Sequence, residues 1–353
     1  MQIQCVQAPL GSQPEADYVN FLKPGGFPPY IHYTNADGSF NQVFELDVNG
    51  SVRLLYSGPR SANEQFHVND SGTLVRLSGS VILGFLEDGR YLSADRENSP
   101  ILCRDESGKV VFQFPIYWNW DVWMSEGPHF IYILDFQHRQ LHVYDRTQWK
   151  PSGIFPLPAS LLPPESGYVP APRFQEGKLV IGGMDERYHY VNYHYCQDQI
   201  VSTETVWARP EGDFYFWRFA ARGEKALLLY ATSVERKGRK RPAMVCDLID
   251  LVSLGRAEKN VFTRCFPITA QPPVGELLWI DDMHFCHAHG HRSSSEVSVY
   301  SLEHGRLFKM KIEGWISDVD TDGHNLYVLT RCLHRDKPIE NLLFILKDVT
   351  SKQ

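Results

Sequence analysis

The 353-residue sequence predicts an all-β fold, and three observations carry that prediction. Windows with the 3.6-residue helical period are nearly absent; the best candidate, Asp247 to Arg256, is β-branched enough to be a strand followed by a turn. Twenty-two prolines, 26 glycines and 13% aromatic residues suit many short strands joined by turns. A weak internal repeat emerges when the turns, rather than the strands, are aligned.

Each repeat places an apolar residue four positions before a glycine and starts an apolar strand within three residues after it. Val68 to Gly72 leads into Thr73 to Leu77, Trp123 to Gly127 into Phe130 to Leu134, and Phe219 to Gly223 into Ala226 to Tyr230. Val319 to Gly323 leads into Leu326 to Leu329, and Phe174 to Gly177, then Lys178 to Ile181, fits with one residue deleted. Glycine accepts the positive φ that a tight hairpin requires. The run that follows reads as a strand buried on both faces. The glycine spacings are 127 − 72 = 55, 177 − 127 = 50, 223 − 177 = 46 and 323 − 223 = 100, the last spanning two periods with a degenerate unit at Trp279 to His287.

A period of about 50 residues with about four short strands per unit resembles the β-propeller superfamily. The stretch from Asp320 to Val328 resembles the inner hairpin of a blade. The resemblance is generic, because no Trp-Asp dipeptide repeat, kelch glycine pair or sialidase-type Asp box narrows it to one family. It implies units starting near 66, 120, 174, 215, 277 and 315, with Tyr30 to Tyr56 as one more, so seven blades are expected over six. Met1 to Val6 would pair with the last strand, Leu342 to Leu346, and remove exposed sheet edges. The expectation is one propeller domain over residues 1–353; the rival is two packed sandwiches split near Pro151 to Pro172. That proline-rich stretch reads as a rigid connection rather than a ligand for a proline-binding domain.

Charge excludes some function classes. The chain carries 35 Lys+Arg against 42 Asp+Glu, a net −7, which argues against a dedicated nucleic-acid binder. No apolar run approaches the roughly 20 residues of a spanning helix, and Met1 to Gln7 lacks a signal-peptide pattern, so a cytoplasmic monomer without membrane contact is expected. Seven cysteines without a C-x-x-C pair read as reduced, mostly buried thiols.

Several clusters are candidate sites. His287, His289 and His291 share one face of a strand, with His284 on the other, and three imidazoles can hold zinc or copper. Same-face neighbours stand about 7 Å apart, however, so a polar hairpin tip is the favoured reading and no metal or other cofactor is expected. The Tyr188 to Cys196 stretch reads as packed tyrosines on outer strands. Asp318, Asp320 and Asp322 before Gly323 resemble the opening of a calcium loop, but Leu329 and Leu326 occupy the closing positions, so a turn is expected. Arg236, Lys237, Arg239, Lys240 and Arg241 form the one basic run, read as a hairpin tip that is solvated or meets an acidic protein, with nuclear targeting as the alternative. Trp118, Trp120, Tyr215, Trp217 and Arg218 are candidate contacts because Trp, Tyr and Arg dominate binding hot spots.

No phosphate loop, G-x-G-x-x-G, G-x-S-x-G or H-E-x-x-H is present. The expected function is therefore a non-enzymatic propeller that binds another protein. Its concrete form is an inhibitor or immunity-type protein that neutralises a toxin or effector domain, a basic one given the net charge. The alternative is a glycan- or lactone-cleaving hydrolase drawing on His284, His287, Asp282 and Asp121; a lectin using exposed tryptophans is a third reading.

Overall fold

The computed structural model of the chain describes residues 3–7, 16–22, 30–35, 40–47, 51–59, 64–68, 73–79, 81–162, 172–175, 178–196, 199–251, 259–266, 275–291, 294–332 and 340–350. Among the described residues there are strands and no helix, and none of them forms a helix able to cross a membrane. After β1 (Ile3–Gln7), blade 1 comprises β2 (Ala16–Leu22), β3 (Tyr30–Asn35), β4 (Phe40–Leu46) and β5 (Val52–Pro59). A two-stranded hairpin, β6 (Glu64–Val68) and β7 (Leu74–Ser78), follows. Blade 2 is β8 (Val81–Phe85), β9 (Tyr91–Ala94), β10 (Pro100–Arg104) and β11 (Val110–Tyr117). Blade 3 is β12 (Val122–Glu126), β13 (Phe130–Asp135), β14 (Gln140–Asp145) and β15 (Lys150–Pro156). Blade 4 is β16 (Arg173–Gln175), β17 (Lys178–Met184), β18 (Tyr190–Cys196) and β19 (Gln199–Trp207). Blade 5 is β20 (Phe214–Arg222), β21 (Lys225–Arg236), β22 (Arg239–Asp250) and β23 (Lys259–Cys265). Blade 6 is β24 (Gly275–Trp279), β25 (His284–His291), β26 (Ser294–Ser301) and β27 (Gly305–Glu313). Blade 7 is β28 (Trp315–Thr321), β29 (Leu326–Cys332) and β30 (Glu340–Leu346), completed by β1. Blades 1 to 6 are antiparallel meanders of consecutive strands, blade 7 takes its outer strand from β1, and the chain is a seven-bladed β-propeller.

The second strand of a blade explains why the sequence reads as it does. β9, β13, β17 and β29 are buried over most or all of their length, on both faces, and so is the Ala226–Tyr230 stretch of β21. Such a strand has no solvent side, so the period-2 alternation of a one-sided sheet gives way to a continuous apolar run. By contact the chain divides into two compact units, Leu77–Ala270 and Met1–Arg76 with Gln271–Gln353. In the first, Ile101 and Phe114 of blade 2 pack with Ile131 and Ile133 of blade 3, and matching clusters join blades 3 and 4 and blades 4 and 5. In the second, Val297 and Val299 of blade 6 pack with Leu326 and Val328 of blade 7, and Tyr327 and Leu329 with Phe21 and Ile31 of blade 1.

The terminal pairing that the sequence predicts is present. β1 runs antiparallel to β30 from Ile3 opposite Leu346 to Gln7 opposite Leu342. In the other six blades the fourth strand pairs with the third through at least one register shift, as at Val43/Phe44, Val143/Tyr144 and Val299/Tyr300. The β1–β30 ladder has none. A bulge adds local twist to a strand; the strand supplied by the other end of the chain does without it.

One repeat unit is placed differently from expectation. Val68 and Leu77 belong to the separate β6–β7 hairpin, while the first hairpin of blade 2 is β8–β9, turned at Gly89 with φ +83°. The apolar-turn-apolar pattern marks any tight hairpin and not its rank within a sheet. Gly72, Gly177, Pro163, Pro164 and Pro170 lie outside the described residues. The thiols behave as expected where described: Cys103, Cys246, Cys286 and Cys332 are buried, and burial pushes the Cys103 thiol up to about 12.

The Asp318–Gly323 stretch is the β28–β29 hairpin, and its carboxylates are engaged there. Asp322 accepts the backbone N–H groups of His324 and Asn325, the Asn325 amide and the Tyr327 hydroxyl, the last at 2.8 Å. Asp318 accepts the backbone N–H of Phe21 in β2 at 2.8 Å and thereby ties blade 7 to blade 1. Burial opposes the Asp322 charge, but the hydrogen bonds outweigh it and hold the carboxyl below its ordinary value.

Two outcomes follow from this packing. Deleting residues 1–7 leaves β30 with an open edge and lowers the thermal midpoint by roughly 5 °C or more, on a scale of ~2–4 °C per kcal/mol; an unchanged midpoint would refute the closing role of β1. Asp322→Ala costs about 2 kcal/mol at neutral pH in urea unfolding, as expected for lost charge-assisted hydrogen bonds. Because the folded pKa is depressed, that contribution is full above the unfolded value of about 4 and fades as pH falls through the lower folded value, so parent and variant converge in acid.

Candidate partner-binding surface

Among the described residues, blade 5 carries the two longest strands. β21 and β22 are 12 residues each and stay paired to the tip, with Val234 opposite Arg241 and Arg236 opposite Arg239. Their neighbours stop earlier: β20 pairing ends at Phe214 opposite Thr232, and β23 pairing ends at Cys265 opposite Ala243. After one last bond from the Phe266 N–H to the Pro242 carbonyl, residues 233–241 continue alone as a two-stranded finger. Lys237 and Gly238 turn it with φ of 54° and 69°. Positive φ at both central residues defines the type I′ hairpin turn that matches strand twist. Arg236, Lys237, Arg239, Lys240 and Arg241 are all exposed, and among the described residues none makes an ion pair.

Tyr215 stands at the base of the finger, opposite Ala231 and 60% exposed. The strand bulges between Phe216 and Arg218, which places the half-buried Arg218 opposite Leu229 within the sheet. The Trp217 side chain lies outside the described residues. On blade 3, Trp120 is 73% exposed, and its ring lies 5.0 Å, edge-on, from that of Trp118. Trp118 is buried in the core between blades 2 and 3, so the solvent-facing ring of the pair is Trp120. The Asp121 carbonyl accepts the Phe136 N–H, and the Asn119 amide donates to Gln137 at 2.7 Å. Trp120 therefore sits beside the turn between the second and third strands of its blade, the end from which the finger leaves blade 5.

The histidine cluster is built into blade 6. β25 runs straight from His284 to His291, and the rings of His287 and His289, both buried, meet edge to face at 5.1 Å. His289 Nε2 is 3.6 Å from Glu296, whose other oxygen holds the Lys309 ammonium at 2.6 Å. His284, three residues before His287 and so on the opposite face, turns its ring to the Asp281 carboxylate at 2.9 Å. Burial works against the Asp281 charge, but hydrogen bonds from Met283 and His284 prevail and keep its pKa low. The His291 side chain lies outside the described residues, and among the described residues no three His, Cys, Asp or Glu groups are placed to hold a metal. Of the four groups proposed for a hydrolase, Asp121 belongs to the unit Leu77–Ala270 and Asp282, His284 and His287 to the other. The last two point to opposite faces.

No family model and no curated protein matches the chain. Solved structures similar to it include the AfRom2 CNH domain, 11% identical over 98% of this chain and 99% of that one with a TM-score of 0.49. The Myceliophteria thermophila Cps50 (Swd1) beta-propeller domain is 12% identical over 98% and 99%, TM-score 0.45, and BamB from Moraxella catarrhalis 8% over 96% and 99%, TM-score 0.45. Likeness at this level says nothing of ligands, and the architecture rests on the chain's own seven four-stranded sheets.

Tyr215 and the finger residues are legible as candidates from residue type alone. The length of the projection is not, because it depends on where β20 and β23 stop. The tryptophan pair offers a direct check: Trp118→Ala costs about 3–5 kcal/mol in urea unfolding and Trp120→Ala within about 0.5. Equal costs would contradict the assigned burial.

Proposed function

We propose that this propeller is a protein-binding module whose contact surface lies at the second-turn ends of blades 3 and 5. The observation that carries this reading is the exposure of Trp120 and Tyr215 at those ends, on sheets whose second strands run buried through Ile131–Asp135 and Ala226–Tyr230. Large rings held in water by an ordered backbone lose little freedom on binding and supply much of the contact energy of interfaces. Turns on a rigid scaffold also vary without damage to the core. The narrower form of the proposal is a cytoplasmic, monomeric inhibitor that neutralises a toxin or effector domain; the net charge of −7 favours a partner that is basic outside the finger's own contact.

Capture from host extract on the immobilised full-length chain tests the reading. The parent is expected to retain a stoichiometric protein, and Trp120→Ala with Tyr215→Ala to retain it about tenfold less, as for the loss of two hot-spot rings. Absence of any stoichiometric protein, or capture indifferent to both rings, would count against it. Growth of cells expressing the captured protein, with and without this chain, then tests neutralisation: rescue supports the inhibitor form and unrelieved toxicity excludes it.

A further inference from the structure

Side chains alternate along each arm of the finger, and residues paired directly across it share a face. Arg241 opposite Val234, and Arg239 opposite Arg236, therefore put three guanidinium groups on one face, while Lys240 opposite Glu235 lies on the other. The arginine face continues toward the sheet at Thr232 and Phe214, and the exposed Arg209 lies over the Phe214 ring at 5.9 Å. Arg209, Arg241 and Arg239 thus follow one another from the connection before blade 5 to the tip, where Arg236 stands beside Arg239. The acidic groups nearest in sequence are Glu235, on the far face, and Glu211 and Asp213, in the same connection as Arg209.

We propose that this face docks an extended, acidic segment of a partner protein; the inference rests on the protein-binding reading and names the partner's chemistry. Same-face side chains on a strand stand about 7 Å apart, and so do alternate side chains of an extended segment, so carboxylates at every second position meet successive arginines. Guanidinium and carboxylate are matched for paired hydrogen bonds, which a lysine ammonium cannot reproduce. The five cations of the tip leave −7 − 5 = −12 on the rest of the chain. The arms reach past the sheet by about four residues, roughly 13 Å, which exceeds the ~8 Å screening length of physiological salt. A short acidic segment held at the tip is thereby shielded from the acidic body. A long polyanion such as nucleic acid would run past the tip and meet it.

Fluorescence anisotropy of the full-length chain tests the proposal with a labelled twelve-residue peptide of alternating Glu and Ser, in about 150 mM salt, where the ~8 Å screening length holds. Replacing Arg236, Arg239 and Arg241 together by Gln is expected to weaken binding about tenfold, and replacing Lys237 and Lys240 by Gln less than about threefold. A labelled twelve-nucleotide oligo-dT is expected to bind less tightly than the peptide. Equal losses for the arginine and lysine variants, tighter binding of oligo-dT, or no binding of the peptide by the parent would each overturn the proposal. Capture from host extract separates the two readings. A partner retained undiminished by the arginine variant overturns the acidic-segment docking and leaves protein binding in place. Arginine-dependent peptide binding with no captured partner supports the docking chemistry and removes the broader reading.

Discussion

Burial of a strand on both of its faces is the constraint from which the rest of this structure follows. Leu227, Leu228 and Leu229 of β21, like Ile131, Ile133 and Leu134 of β13, are fully buried although they alternate in direction. A single sheet can hide only one of its faces, so each blade requires another packed against it. Blades 2 to 5 satisfy one another in this way within one unit, and blades 6, 7 and 1 within the other. The same constraint makes the N-terminal strand matter. Without β1, the last blade would be a three-stranded sheet whose third strand, with Leu343 and Ile345 buried, had no outer neighbour.

Function is left to what escapes this packing. Within Leu77–Ala270, β21 and β22 outrun their neighbours β20 and β23. The finger's I′ turn and continuous ladder give it a defined shape, so its charges are presented in a fixed order rather than averaged over a loose loop. Trp120 is likewise supported: Trp118 lies under its ring, and the Asn119–Gln137 hydrogen bond fixes the backbone that carries it. The histidines of blade 6 show the contrary case. His287 and His289 are striking in the sequence and end as buried members of a sheet face shared with Glu296 and Lys309.

Much of the fold was legible because turns and doubly buried strands leave local marks. Gly223 and Gly323 sit in left-handed turns, and the apolar runs after them are second strands. The pairing of the two ends was legible from strand count alone. Other features depend on register, which leaves no such mark. Nothing at Trp217 or Ser317 signals the bulges that shift Phe216/Arg218 and Ile316/Asp318 against their partners. Gly72 misled because the strands on either side of it, β6 and β7, pair with each other outside the four-stranded blades. Trp118 and Trp120 differ in burial because β11 ends at Tyr117, after which the chain turns and successive side chains no longer share a sheet. The basic run was legible as a tip, while its arginine face required the pairing of Arg236 with Arg239.

Hydrogen exchange read strand by strand tests the central claim most directly. If double burial organises the molecule, amides of β9, β13, β17, β21 up to Thr232, and β29 exchange slowest, while residues 233–241 and the outer strands β11 and β15 exchange orders of magnitude faster. Second strands that lose protection as readily as β11 and β15 would show that they are not sealed on both sides, and the account would fail.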